Sequence, residues 1–310
     1  NSFCTLLAMG NPISKFAFYP PNPADAKRVL TGRFRRNHEI IFTAKGNPVS
    51  MVRFSGRRAA SSAPSRVIIF SHGNAEDLSN AAYYELIAHQ VGVDVIAYDY
   101  TGYGLSTSLR EYQIAQGHEN PVAEAGCFSS AAEQPKRPEP TEEDCFACAD
   151  AAYDYARSRL NVDEQNIVIV GRSVGSGPAT HLATKHQGVR ALVLLSPLKS
   201  CANVAGSVTG FLLTPIDLMC NESKLRKLSD TPVLIIHGTE DKVIPFEHAK
   251  TLAKVLRKKA VNRATFLIPV QGADHNDVEA VFGQQQFANV LRDFIANPTT
   301  PPAQALTADD

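Results

Sequence analysis

IVIVGRSVGSG, residues 167–177, runs four β-branched apolar residues straight into a serine with a glycine two positions away on either side. A short apolar run bounded by turn residues is the mark of a strand buried on both faces, as in a parallel sheet. Gly171, Ser173 and Gly175 form Gly-x-Ser-x-Gly, the sequence form of a tight strand-to-helix turn that carries a serine on a strained backbone. A plain turn could use the same glycines, so the rest of the chain has to choose between a turn and a nucleophile.

Working outward, RVIIF (66–70), VDVIAY (93–98), ALVLL (191–195), VLII (233–236) and residues 264–270 read as further strands. Helical patterns over 79–91, 144–160, 177–186, 246–257 and 278–295 separate or follow them. HEIIFT (38–43) and VSMVRF (49–54) flank Lys45-Gly46-Asn47-Pro48 and read as an antiparallel hairpin. The expected fold class is α/β: a mostly parallel sheet, helices on both faces, and an N-terminal antiparallel hairpin. Residues 1–30 are expected to form an N-terminal arm and 31–297 the domain. An insertion at 107–140 and a flexible tail at 298–310 complete the layout.

Lys plus Arg and Asp plus Glu both number 31 in a chain of 310 residues that is 44% hydrophobic. That composition suits a globular protein with a large core, and the zero formal charge gives no global field for nucleic acid. No apolar run of ~18 residues is present to suggest a membrane span. Residues 1–10 lack the basic start of a secretory signal, so a cytoplasmic location is expected. Six cysteines, at 4, 127, 145, 148, 201 and 220, are expected as free thiols. Cys145 and Cys148 form a CxxC, but inside a helical pattern with no second pair, and read as helix packing rather than a metal site.

In sheets of this kind ligands gather at the carboxyl ends of the strands. Four loops lie there: Ser71-His72-Gly73-Asn74-Ala75, residues 171–175, His237-Gly238-Thr239-Glu240-Asp241, and Gln271-Gly272-Ala273-Asp274-His275. A serine hydroxyl needs a base in hydrogen-bond reach, and the base needs a carboxylate to hold its tautomer. Ser173, Asp241 and His275 supply these in the chain order nucleophile, acid, base, each after a strand. Glu240 is the fallback acid. Asp230 precedes its strand, and His248 follows the acid too closely to come from another strand end. The backbone N–H groups of Val174 and Asn74 are the expected oxyanion donors. No metal or organic cofactor is required.

FSHGNAEDL (70–78), AYDYTGYGLS (97–106), VGRSVGSGPAT (170–180), LLSPL (194–198), LIIHGTEDKVIPF (234–246) and GADHNDVE (272–279) resemble the α/β-hydrolase domain family of membrane-associated serine hydrolases. The nearest branch is the depalmitoylases, which remove palmitate from protein cysteines. The resemblance implies the α/β-hydrolase fold and the same three residues, Ser173, Asp241 and His275. It departs from the family pattern at Arg172, at Asp274, at the 107–140 insertion, and in having only Cys4 near its start.

The expected function is hydrolysis of thioesters or esters through an acyl-serine, with an acylated protein or lipid-like ester as substrate. Phe211, Leu212, Leu213, Ile216 and Met219 are candidates for an acyl groove, against the plainer reading that they pack a cap onto the core. Met9-Gly10 opens an M-G-x-x-x-[ST] pattern, and Cys4 lies near the start. Gly10 is therefore a lipidation candidate where translation begins at Met9, and alternatively Cys4 is one where a preceding Met-Gly has been lost, for peripheral membrane association. An ordinary flexible terminus is the competing reading. A serine peptidase of prolyl oligopeptidase or aminopeptidase type is the alternative function, although no charged pair is assignable to a peptide terminus. A silent interaction protein would have no use for the three residues in order.

Overall fold

The computed structural model describes residues 17–56, 66–107, 138–204, 217–259 and 264–306. The first full element among the described residues is helix α1 (Pro23–Thr31), with Pro23 at its first position and the Asn22 side chain accepting from Ala24 N–H. The hairpin β1 (His38–Phe42) and β2 (Pro48–Phe54) follows, closed through Gly46 at φ 81°. Strand β3 (Val67–Ser71), helix α2 (Ala81–Val91) and strand β4 (Asp94–Tyr98) begin the alternation.

Helix α3 (Glu142–Ser158) starts on Thr141, whose Oγ1 accepts from Asp144 N–H at 3.1 Å. Then come β5 (Ile167–Arg172), α4 (Ser176–Lys185), β6 (Ala191–Leu195), and the short helices α5 (Cys201–Val204) and α6 (Asn221–Leu225). The chain continues through β7 (Val233–Gly238), α7 (Glu247–Lys259), β8 (Thr265–Val270), α8 (Val278–Phe282) and α9 (Gln284–Ala296).

The eight strands form one sheet in the order β1-β2-β4-β3-β5-β6-β7-β8. Pairings β1/β2 and β2/β4 are antiparallel and the remainder parallel. Successive side chains point to opposite faces of a strand, and here both faces are covered. Ile167 and Ile169 join one core with α3, α4 and α7, while Val168 and Val170 join the other with α1, α2 and α9. Each such fully buried side chain contributes about 1.5–3 kcal/mol.

Three features differ from the sequence reading. The described part of the expected N-terminal arm packs on the domain, where α1 buries Ala26 and Leu30. The last helix is two helices, broken at Gly283 with φ 89°. Residues 298–306, expected as part of a flexible tail, end in a bridge in which Leu306 N–H donates to Leu267 C=O at 2.7 Å. Arg257 Nη2 donates to Leu306 C=O at 2.8 Å. Most of the 107–140 insertion lies outside the described residues.

Candidate active site

Parallel pairing sets the strand ends level. Ser71 of β3 lies opposite Gly171 of β5, Arg172 opposite Leu195 of β6, and Gly238 of β7 opposite Val270 of β8. The loops leaving β3, β5, β7 and β8 therefore meet on one side of the sheet.

Ser173 has φ 52°, a left-handed conformation that costs a non-glycine residue about 1–3 kcal/mol. The turn is over-determined by its glycines. A Cβ on Gly171 would sit 2.5 Å from Ala179 Cβ and from Gly175 C=O, and one on Gly175 would run into the carbonyl oxygens of Ser71 and His72. Val174 follows Ser173 in a short 3-10 turn that leads into α4.

The structure brings Ser173, His275 and Asp241 together. Ser173 Oγ is 3.0 Å from His275 Nε2, and His275 Nδ1 is 2.7 Å from Asp241 Oδ2. All three are nearly buried, between 6% and 8% exposed. The Asp241 carboxylate is held from both ends. Its Oδ1 accepts the N–H groups of Val243 at 2.9 Å and Ile244 at 2.7 Å. Its Oδ2 faces His237 Nε2 at 3.1 Å as well as His275. Burial pushes the Asp241 carboxyl upward, but hydrogen bonds from His237, His275 and Ile244 N–H outweigh it and hold the group well below the usual carboxylate range. An ionised Asp241 accepts a hydrogen bond from His275 Nδ1–H, which leaves the Nε2 lone pair facing the serine.

His237 received no role in the sequence reading. Its Nε2 lies 2.8 Å from Ile244 C=O and close to Asp241, both acceptors, so Nε2 carries the proton. Position was the available signal, since it stands four residues before the acid at the mouth of the same strand. Asp274, noted as a departure, bridges the acid and base loops: Oδ1 accepts Lys242 N–H at 2.9 Å and His275 N–H at 2.7 Å. Those two N–H donors hold its carboxyl below the ordinary value. Glu240 and Asp230 are exposed. His248 is buried, with Nδ1 accepting Lys199 N–H at 3.1 Å.

Arg172 is the second departure, and its side chain is only 13% exposed. Its Nη1 lies 3.5 Å from Glu76 and 3.8 Å from Glu279. Glu76 in turn accepts Gly73 N–H at 3.0 Å, and Glu279 accepts the Tyr83 hydroxyl at 2.9 Å. One guanidinium thus links the serine turn, the loop after β3 and the helix that follows His275. Above the same β3 loop, Tyr100 donates its hydroxyl to His72 C=O at 2.7 Å, and its ring packs 4.3 Å from the His72 imidazole.

Of the groove candidates, Met219 alone is described. It is fully buried, with φ 53° and its sulfur against Gly177, so it packs the first turn of α4 and offers no free groove wall. Phe211, Leu212, Leu213 and Ile216 lie outside the described residues, as do Cys4 and Gly10. Cys145 and Cys148 are free and buried in α3, and burial pushes the Cys148 thiol up to about 12. Among the described residues no group of three or more His, Cys, Asp or Glu is placed to hold a metal ion.

A family model described as the alpha/beta hydrolase fold matches residues 66–209, and a Phospholipase/Carboxylesterase model matches 150–290. Alpha/beta hydrolase domain-containing protein 17B of Homo sapiens is 29% identical over 317 residues, covering 95% of this chain and 94% of that protein. The chain belongs to the α/β-hydrolase family. Among the relatives of this α/β-hydrolase, protein 17C of Mus musculus is 31% identical over 74% of this chain and 59% of its own length. A solved esterase from Pyrococcus furiosus superposes with TM-score 0.55 at 14% identity, covering 84% of this chain and 91% of its own, and shares the fold.

Proposed function

We propose that this α/β-hydrolase cleaves acyl thioesters or esters through an acyl-Ser173 intermediate, with palmitate on protein cysteines as its principal substrate. One observation carries the chemistry: Ser173 Oγ, on its strained turn, lies 3.0 Å from the Nε2 of a histidine whose Nδ1 is bound to Asp241. As Oγ attacks the acyl carbonyl, its proton passes to His275 Nε2, and Asp241 stabilises the imidazolium. The oxyanion is met by the N–H groups of Val174 and Asn74. Collapse expels the cysteine thiolate, which takes the proton from His275. A water activated by the same Nε2 then hydrolyses the acyl-serine.

The similarity to protein 17B over 95% of the chain and the resemblance to depalmitoylases support the thioester reading. The carboxylesterase family match supports the ester chemistry. No helix among the described residues is long and apolar enough to cross a membrane. Peripheral approach to lipid-anchored substrates would use Cys4 as an acylation site or, where translation starts at Met9, Gly10 as the acylated N-terminus.

The test is turnover of a palmitoyl-cysteine peptide by the wild type and by Ser173→Ala. The expected result is release of palmitate that the substitution abolishes. Cleavage of aminoacyl amides without thioester turnover would replace this reading with a peptidase.

A further inference from the structure

The Asn74 side chain is engaged far beyond the needs of a strand-end turn. Its Oδ1 accepts from Tyr19 N–H at 2.8 Å, from the Tyr103 hydroxyl at 2.8 Å and from Ala75 N–H at 3.1 Å. Its Nδ2 donates to Ala17 C=O at 2.9 Å. Ala17 C=O and Tyr19 N–H are backbone groups of one short segment, and the amide of Asn74 meets both as a neighbouring peptide group would. Phe18, between them, is buried in the same core cluster as Tyr103.

The segment that follows is stiff. Tyr19-Pro20-Pro21-Asn22-Pro23 contains three residues with locked φ, and each residue before a proline is held extended. It leads directly into α1, which is anchored by the fully buried Ala26 and Leu30. Residues 19–23 are therefore a strut between an anchored helix and the β3 loop. Meanwhile Ala75, next to Asn74, sits at φ 54°, a conformation that persists only where its surroundings over-determine it.

We infer that residues 17–19 belong to the catalytic unit: they clamp the Asn74 side chain and so hold its backbone N–H in place for the oxyanion. Asn74 through its side chain, and the arm through Asn74, are positioning elements. The inference rests on the proposed acyl-Ser173 chemistry with Asn74 N–H as an oxyanion donor. It makes the N-terminal segment a part of the site rather than a tether alone.

The test uses the full chain with Asn74→Ala, Tyr19→Pro and the pair combined, assayed on a soluble thioester so that membrane attachment plays no part. Tyr19 is 52% exposed, and proline there deletes the N–H shared by Asn74 Oδ1 and the Tyr103 hydroxyl while keeping the arm in place. Asn74→Ala is expected to lower kcat about tenfold with KM nearly unchanged, less than the ~10²–10³ of losing an oxyanion donor outright. Tyr19→Pro lowers kcat by a smaller factor, and the combined variant is no slower than Asn74→Ala, because both act through one contact. If Asn74→Ala does not fold, Tyr103→Phe, which removes the hydroxyl that donates to Asn74 Oδ1 and accepts Tyr19 N–H, takes its place in the same cycle. Unchanged kcat in the single variants, or losses that multiply in the pair, overturns the clamp. Activity surviving Ser173→Ala overturns the Ser173 reading instead.

Discussion

Replacing Asp241 by Asn changes one atom, and the surroundings decide which way the new amide faces. Oδ1 accepts two backbone N–H groups, from Val243 at 2.9 Å and Ile244 at 2.7 Å. An NH2 group there would meet two donors, so the amide oxygen takes that place and the NH2 falls at the position of Oδ2. There it faces His275 Nδ1 at 2.7 Å and His237 Nε2 at 3.1 Å. The amide donates to His275 Nδ1, the imidazole proton moves to Nε2, and the nitrogen facing Ser173 can no longer accept a proton. Loss of the correct tautomer lowers kcat by about 10⁴. His237 Nε2–H meanwhile confronts a donor, which costs about 1–3 kcal/mol of stability. The assays are thioester turnover, the rate of fluorophosphonate labelling of Ser173, and a urea midpoint. KM is expected to hold, since Asp241 does not touch substrate. Turnover within tenfold of the wild type would falsify this account of the tautomer.

Three further outcomes are expected. Gly175→Ala drives a methyl into the carbonyl oxygens of Ser71 and His72, backbone that cannot swing away, and should cost about 1–3 kcal/mol and most of the fluorophosphonate labelling; an unchanged urea midpoint counts against the packing argument. Arg172→Met leaves Glu76 and Glu279 without their shared cation, and the loss, about 2 kcal/mol once partial exposure is discounted, should be smaller for Arg172→Lys in the same denaturation assay. Burial, with Lys199 and His237 nearby, pushes the His248 imidazole down from its ordinary 6.5 to about 4. The unfolded chain therefore takes up the proton first, and stability that is full above about pH 6.5 is lost progressively toward about pH 4. Thermal midpoints across that window should fall less steeply in His248→Gln, whose amide oxygen can still accept Lys199 N–H; parallel slopes would assign the acid loss elsewhere.

The central strands were legible because both faces of the sheet are covered there, which turns them into apolar runs such as IVIV before Gly171. The order serine, acid, histidine was legible because level strand ends put those loops on one side of the sheet. Helix α1 was missed because it buries only Ala26 and Leu30, too few apolar positions to show a period. The helical pattern over 278–295 continues through Gly283, so nothing in it marks the break. A histidine ending an apolar strand looks like a core residue, and the partnership of His237 with Asp241 depends on how the loop folds back. Glu76, Arg172 and Glu279 meet across more than two hundred residues of chain, as Tyr19 and Asn74 do across 55. Such contacts leave no local trace in sequence.

Leu306 has a further consequence. Strand β8 is one of the two edge strands of the sheet, and an uncovered outer strand offers its backbone to any other extended chain. The bridge from Leu306 to Leu267, backed by Arg257, occupies part of that rim. Residues 298–306 therefore act as a selvedge, keeping the fabric of one molecule from being knitted into the next. A C-terminal truncation before Pro302 should leave the chemistry intact and still cost the protein its solubility on concentration.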